Sequence, residues 1–207
     1  MEEFLSIKEE AKAEITEKKS KFIAEVFYVE TVKEAEEAIE RVKKREHSAK
    51  HHCYAYRIID EKIIEKMSDD GEPSGTAGAP ILSILQGKNL NNVLVIVTRY
   101  FGGILLGTGG LVRAYSESAT NAIEKAETKK MQKGAEIELE IRYQEYENLK
   151  YYLSKINGKI ISSEYKDNVK ATIQIPISYV DDFTLNYQKL PFKIENSKKV
   201  KEKFVDI

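Results

Sequence analysis

Residues 99–120, RYFGGILLGTGGLVRAYSESAT, join an apolar run to an amphipathic segment and hold five glycines within nine residues. The preceding run, VLVIV at 93–97, is continuously apolar, which predicts a strand buried on both faces of a sheet. After the glycines, apolar side chains recur at helical spacing and predict a long helix. Its predicted inner face consists of Leu111, Ala114, Tyr115, Ser118, Ala119, Ala122 and Ile123. The stretch therefore predicts a strand, a glycine loop and a helix in succession.

The glycine loop matches neither of the standard nucleotide-binding patterns. A P-loop needs a lysine where Thr108 stands, and a dinucleotide fingerprint needs a third glycine where Val112 stands. Two interpretations remain open. The glycines can permit positive φ angles and close packing of backbones, or the free N–H groups at the helix start can bind an anion together with arginines. The candidate anion-binding residues are Arg99, Gly102, Gly103, Gly107, Gly109, Gly110 and Arg113.

A second loop, SDDGEPSGTAGAP at 68–80, combines carboxylates with hydroxyls and further glycines. Clustered carboxylates can hold Mg²⁺, but the ligand spacing of an EF-hand is absent, and Asp and Gly are common in loops for conformational reasons alone. An exposed recognition loop is the favoured interpretation, and neither a metal nor another cofactor is expected. The recognition loop comprises Asp69, Asp70, Gly71, Glu72, Pro73, Ser74, Gly75 and Thr76.

All three histidines, His47, His51 and His52, lie close in sequence to the single cysteine, Cys53. A zinc site would need a second Cys or His pair, which the sequence lacks. On a predicted strand, His51 and Cys53 face one way and His52 the other, so a Cys–His nucleophilic pair is not expected. If the protein is a catalyst, the candidate catalytic groups are His52, Asp70 and Glu72.

The formal net charge of −1 and a pI near 6.4 exclude a global positive field that would draw the chain onto nucleic acid. RNA contacts would need a local patch, and Lys18, Lys19 and Lys21 beside Phe22 predict a turn of that kind. One cysteine excludes an internal disulfide and fits a reducing cytosol. The N-terminal residues lack an apolar signal core, and no apolar run is long enough to span a bilayer. A cytoplasmic protein without membrane contact is expected.

The hydrophobic pattern changes character near residue 133. Before it, alternation around EKKS predicts a strand hairpin, and TVKEAEEAIERVKKREH at 31–47 predicts a helix capped by Thr31. EKAETKKMQKG at 124–134 predicts a fraying helix end. After it, the elements follow the order βαββαβ of ferredoxin-like domains, with ENSKKVKEKFVDI at 195–207 as a loosely held tail. We therefore predict an α+β protein of two domains, residues 1–133 and 134–207.

The loop DDGEPSGTAGAPIL followed by VLVIVTRYFGGILLGTGGLVRAYSES resembles the Impact family, whose bacterial members are called YigZ-like proteins. SKFIAEV and HHCYAYRI resemble two further strands of that family, so the resemblance covers about residues 15–126. It implies an N-terminal domain of the type shared by the second domain of a ribosomal small-subunit protein and the RNase PH group. The C-terminal domain is similar to ferredoxin-like domains of elongation factor G. Eukaryotic members of the family regulate translation in amino-acid starvation.

The resemblance implies a translation-associated regulatory or binding protein that engages RNA, the ribosome or a protein partner through a glycine-lined cleft. This expectation requires the two loops to converge. The alternatives are a hydrolase of phosphate esters or peptides, with or without Mg²⁺, and a binder of phosphorylated metabolites in the same cleft. The hydrolase hypothesis is the weaker one, because the sequence holds no recognisable pair of nucleophile and base.

Overall fold

The computed structural model describes residues 3–60 and 62–206 and shows an α+β architecture, which confirms the predicted fold class. The chain divides into two compact units. One is Phe4–Lys129, and the other holds the described residues of Lys130–Ile207 together with Glu3. The boundary predicted at 133/134 lies inside a strand that starts at Thr128. Met1, Glu2, Glu61 and Ile207 lie outside the described residues, although the predicted domain ranges and the predicted tail include them.

Among the described residues, the elements that begin before residue 126 are six strands and three helices. In chain order they are β1 (Glu3–Ile7), β2 (Ala11–Glu17), β3 (Ser20–Tyr28), α1 (Val32–Arg45), β4 (His51–Ile59), β5 (Ile63–Ser68), α2 (Gly78–Gly87), β6 (Val93–Tyr100) and α3 (Thr108–Lys125). Five of the strands form a sheet in the order β2-β3-β6-β4-β5, with every neighbouring pair antiparallel. The loop of residues 101–107 therefore leaves the central strand of this sheet and leads directly into α3.

Helices cover both faces of this sheet. One face packs with α2 and α3 around Phe22, Val95 and Tyr115, and the other packs with α1 around Phe27 and Ile96. Residues 93–97 of β6 are fully buried, which confirms a strand covered on both faces. The predicted cap of α1 is confirmed as well, because the Glu34 N–H donates to the Thr31 hydroxyl at 3.1 Å.

All seven residues predicted for the inner face of α3 are buried. The predicted fraying end is wrong. The helix stops at Lys125, Glu127 takes a positive φ of 51°, and Thr128 starts the next strand. The sequence did not predict this strand because many of its residues are charged. Charged residues are compatible with an antiparallel strand, since only every second side chain needs to face a core.

The second unit contains the remaining elements. They are β7 (Thr128–Ile141), α4 (Tyr143–Lys155), β8 (Lys159–Tyr165), β9 (Val169–Pro176), α5 (Val180–Thr184) and β10 (Ile194–Asp206). Their order is the predicted βαββαβ, and within this unit the strands pair antiparallel in the order β10-β7-β9-β8, as part of a five-stranded sheet. Its core includes Ile137, Ile173, Leu149, Leu153 and Phe183. The similarity to domains of elongation factor G stays a prediction.

The predicted loose tail is wrong over residues 195–206, because these residues form most of β10 and pair with β7. Only Ile194 and Val205 of this strand are buried, so the sequence lacks a strong apolar alternation. Two of its lysines, Lys201 and Lys203, instead lie 3.5 and 3.6 Å from the carboxylate of Glu136 on β7. Across the described residues, no helix is long and apolar enough to cross a bilayer.

Candidate functional site

A buried ion pair joins the two glycine-rich loops. Arg99, at the end of β6, donates from Nη1 to Oε1 of Glu72 in the recognition loop at 2.6 Å. The two side chains are only 5% and 4% exposed. The hydroxyl of Tyr115 on α3 donates to the same carboxylate oxygen at 2.9 Å. The loops thus converge, and the groups at their junction bind each other rather than facing solvent.

Arg99 has further partners that fix its guanidinium. Its Nη2 donates to the Ser20 hydroxyl at 3.3 Å, and its guanidinium carbon lies 5.3 Å from the ring centre of Phe22 and 5.6 Å from that of Phe101. The Ser20 hydroxyl also accepts from the Gly102 N–H at 3.2 Å. Sequence analysis did not identify Ser20, because it lies 79 residues from Arg99 and belongs to no motif.

Three glycines of the loop are needed for backbone reasons. A Cβ on Gly102 would lie 2.0 Å from the carbonyl carbon of Lys19, so only glycine permits this close approach to the β2–β3 turn. Gly103 and Gly107 have φ of 83° and 73°, a region that other residues rarely adopt. The conformational interpretation therefore accounts for Gly102, Gly103 and Gly107.

The remaining candidates for anion binding lie at the start of α3. No side chain caps this helix at Gly107, and Gly109 and Arg113 are exposed. Arg113 turns back toward the helix start, since a Cβ on Gly109 would lie 3.8 Å from its Nη1. A cavity of about 150 Å³ opens here, lined by Glu17, Lys18, Leu106, Gly110, Arg113, Ala114 and Glu117. Of the three lysines predicted as a phosphate-contacting turn, Lys18 lines this cavity, while Lys21 pairs with Glu14 at 2.7 Å.

The recognition loop is closed by the carboxylate of Asp69. Oδ2 accepts from the Gly75 N–H at 2.8 Å, and Oδ1 accepts from the Ala77 and Gly78 N–H groups at 3.0 and 2.8 Å, at the start of α2. Burial acts to raise the pKa of Asp69, but the three N–H donors outweigh it and hold the pKa below its ordinary value. Thr76 adds a hydroxyl bond to the carbonyl of Pro73 at 2.6 Å. Asp69 therefore stabilises the loop and caps α2.

Asp69→Asn is expected to lower the free energy of unfolding at pH 7 by about 1 kcal/mol, the usual value of a helix cap. The amide group cannot supply two acceptor oxygens to three N–H donors. Because the folded pKa is depressed, this stabilisation is fully present above the unfolded pKa of about 3.9 and is lost as the pH falls from there through the lower folded pKa. Urea unfolding at pH 7, 5 and 3 measures this, with Asp167→Asn, an exposed aspartate in the second unit, as the control. If Asp69→Asn lowers the free energy of unfolding by the same amount at pH 3 as at pH 7, the proposed role of the Asp69 carboxylate is contradicted.

The three candidate catalytic residues are close together but are held by structural partners. The Asp70 carboxylate accepts from the His52 backbone N–H at 2.7 Å and lies 3.4 Å from Lys43 Nζ. The ring of His52 is buried, with Nε2 3.2 Å from the Glu46 carbonyl oxygen and Nδ1 3.6 Å from Asp70. Glu72 is occupied by Arg99 and Tyr115, as described above. Each of the three therefore already contacts groups of its own unit.

Cys53 lies among these groups, buried on β4. Its Sγ lies 3.0 Å from the Asp69 carbonyl oxygen and 3.3 Å from the Tyr115 hydroxyl. Burial raises the pKa of Cys53 to about 12 and also raises the pKa of Tyr115, with Cys53 and Glu72 adding to the rise at the tyrosine. A thiolate nucleophile is thus disfavoured at neutral pH. Across residues 3–60 and 62–206, no three His, Cys, Asp or Glu groups come together in a metal-binding arrangement.

Comparisons with known proteins agree with this architecture. The Impact N-terminal domain matches residues 18–123, and a domain of unknown function, DUF1949, matches residues 139–185. IMPACT family member YigZ of Escherichia coli is 36% identical over 169 residues, which cover 81% of this chain and 83% of that protein. The chain belongs to the IMPACT family. The resemblance deduced from the two loop motifs is thereby confirmed.

Other similar proteins match to different extents. A crystal structure of a hypothetical protein aligns with a TM-score of 0.66 and 32% identity, over 94% of this chain and 97% of that one. IMPACT family member YvyE of Bacillus subtilis is 46% identical over 120 residues, which cover 58% of this chain and 55% of that protein. The chain thus matches about half the length of YvyE. Protein IMPACT of Homo sapiens is 37% identical over 98 residues, or 45% of this chain and 30% of the human protein.

Proposed function

We propose that this protein is a translation-associated binding protein that engages RNA through the start of α3. The observation that carries the proposal is the grouping of two exposed cations, Lys18 and Arg113, around a helix N-terminus that no side chain caps. Backbone N–H groups at such a terminus favour anions, and both cations can form charge-assisted hydrogen bonds to phosphate. We call Lys18, Gly109, Gly110 and Arg113 the α3 entry surface.

The distribution of buried and exposed groups favours binding over catalysis. The polar groups that a hydrolase would use are turned inward, where Glu72 is 4% exposed and already bound to Arg99 and Tyr115. In contrast, Lys18, Gly109 and Arg113, which would contact a phosphate, are exposed. The link to translation is what the family resemblance implies, since eukaryotic members regulate translation.

Local charge limits how strongly one phosphate would bind. Glu17 and Glu117 line the same cavity as Lys18 and Arg113, so the four formal charges cancel. A single anion would gain little from long-range attraction there, whereas a chain of phosphates can contact the N–H groups and both cations at once. This balance favours RNA over a small phosphorylated metabolite as the ligand.

The test is binding of a single-stranded RNA oligonucleotide and of purified ribosomes, each measured between 50 and 200 mM salt. Arg113→Ala is expected to weaken binding about fivefold, which corresponds to about 1 kcal/mol for one exposed ionic contact. It should also reduce the slope of log affinity against log salt by about 1. Glu117→Gln should strengthen binding, because it removes a negative charge from the cavity.

The matched control is Lys33→Ala, which removes an exposed cation from α1, where it lies near Glu37. This control is expected to leave RNA affinity unchanged. Absence of RNA and ribosome binding even at low salt would overturn the proposal, as would equal effects of Arg113→Ala and Lys33→Ala. Binding of inorganic phosphate or a mononucleotide as tight as that of the oligonucleotide would favour the metabolite alternative instead.

A further inference from the structure

We infer that the ring of Phe101 is a stacking platform for an unpaired base, so that the glycine loop selects single-stranded RNA over duplex RNA. This inference rests on the proposed RNA-binding function and specifies its substrate class. Phe101 is the first residue after β6, and 45% of its surface is exposed. Single-strand-binding proteins combine exposed aromatic rings of this kind with cationic side chains that contact the phosphates, and here Lys18 and Arg113 supply the cations.

The ring is held from the inside by a rigid series of groups. The Arg99 guanidinium lies between 5 and 6 Å from the centres of both Phe101 and Phe22, at 5.6 and 5.3 Å. Arg99 is itself fixed by Glu72 and Ser20. Phe22 is fully buried and meets Tyr115 edge to face at 5.1 Å. Phe101 is therefore the exposed end of a series that starts in the core, and a base would stack on it with little ordering of the protein.

The backbone on the far side of Phe101 is fixed as well. Gly102 packs against the Lys19–Ser20 peptide so closely that no Cβ fits, and its N–H donates to the Ser20 hydroxyl. Lys18 belongs to the same β2–β3 turn as Lys19 and lines a cavity with Arg113, so Phe101 and the α3 entry surface are both linked to this turn. A nucleotide stacked on the ring would thus have cations nearby for its phosphates.

The preference for unpaired nucleotides follows from base accessibility. In duplex RNA the bases are stacked on one another and their faces are unavailable, whereas unpaired bases can turn outward onto aromatic side chains. Two other apolar residues of the loop, Ile104 and Leu105, are exposed by 42% and 82%. Neither residue has an aromatic ring. Substituting one of them therefore tests for a general apolar contact with a protein partner, whereas substituting Phe101 tests for base stacking.

The test compares the affinities of a 12-nucleotide unpaired RNA and of the same sequence in a duplex, for the wild type and for Phe101→Leu. The unpaired RNA should bind the wild type more tightly than the duplex does. Phe101→Leu should weaken binding of the unpaired RNA about tenfold, because base–aromatic stacking is lost, and should leave duplex binding and the salt slope unchanged. Leu105→Ser is the matched control and should leave both affinities unchanged.

A second variant guards against a folding artefact. The chain contains no tryptophan, so Phe101→Trp places a single tryptophan at the platform, and its emission can be excited selectively over that of the tyrosines. It should retain the affinity of the wild type, and its fluorescence should be quenched by the unpaired RNA but not by the duplex. Urea unfolding verifies that Phe101→Leu and Phe101→Trp remain folded at the assay temperature.

The results distinguish failure of the stacking inference at Phe101 from failure of the proposed RNA-binding function. If unpaired and duplex RNA bind equally and Phe101→Leu changes neither affinity, the stacking inference is overturned while the proposed function stands. If neither RNA binds the wild type, both fail together. If Leu105→Ser weakens binding as much as Phe101→Leu, the loop makes a general apolar contact and the stacking inference is likewise overturned.

Discussion

Arg99→Ala should lower the free energy of unfolding by about 3–5 kcal/mol, the cost of leaving one charge of a buried ion pair without its partner. The carboxylate of Glu72 would keep the hydrogen bond from the Tyr115 hydroxyl, with His51 Nε2 4.0 Å away, in a place where 4% of its side chain reaches solvent. The same substitution removes the contact of Arg99 with Ser20 and with two phenylalanine rings. Urea unfolding followed by circular dichroism measures the loss.

Two variants show whether the loss comes from burial of the pair. Arg113→Ala removes an exposed arginine 14 positions along the chain and should change the free energy of unfolding by less than about 0.5 kcal/mol. Arg99→Lys keeps the charge but cannot reach Glu72 and Ser20 with separate nitrogens of one planar group, so an intermediate loss is expected. A loss below about 1 kcal/mol for Arg99→Ala would mean that the pair behaves as a solvated surface contact.

The second large effect is expected for Gly102→Ala, which should destabilise the protein by about 3 kcal/mol, at the upper end of the cost of overpacking. The added Cβ would lie 2.0 Å from the Lys19 carbonyl carbon and 2.4 Å from the Ser20 nitrogen. Both atoms belong to backbone, so the loop and the β2–β3 turn must separate. Thermal and urea unfolding report the loss of stability, and RNA affinity should fall in parallel because the two sides of the proposed surface move apart.

Gly87→Ala provides the matched control for this substitution. Gly87 is the last residue of α2, and a Cβ there would meet nothing within 4 Å. Alanine at this position should leave stability unchanged or raise it by up to about 1 kcal/mol through better helix propensity. Equal destabilisation by Gly87→Ala and Gly102→Ala would show that the loss at Gly102 does not arise from the close approach.

Local sequence patterns determined most of the secondary structure. The buried face of α3, the doubly covered strand β6 and the Thr31 cap all follow from side-chain periodicity or from a single hydrogen bond within a few residues. Local sequence patterns predicted the strands β7 and β10 less well. Their many lysines and glutamates lie on exposed positions, so neither the start of β7 nor the end of β10 carries a continuous apolar signal.

The motifs also determined the family, since two glycine-rich loops of defined sequence are specific even where the ligand is not. The sequence alone did not determine which charged residues of those loops face inward. Arg99 and Arg113 are equally plausible anion-binding residues by type, yet the fold buries Arg99 and exposes Arg113. The partners of Arg99, at separations of 27 and 79 residues, come from other elements of the sheet and its loops.

Only the tertiary structure decided which partner each charged residue contacts and which backbone requirement each glycine meets. The reason is physical. A guanidinium or carboxylate interacts equally well with a ligand and with an opposite charge brought by the fold, and a glycine satisfies a turn and a close backbone contact alike. Sequence spacing sets what is near within one helix or strand. Distances across strands depend on register and packing, and these placed Glu72, Ser20 and Lys19 around Arg99 and Gly102.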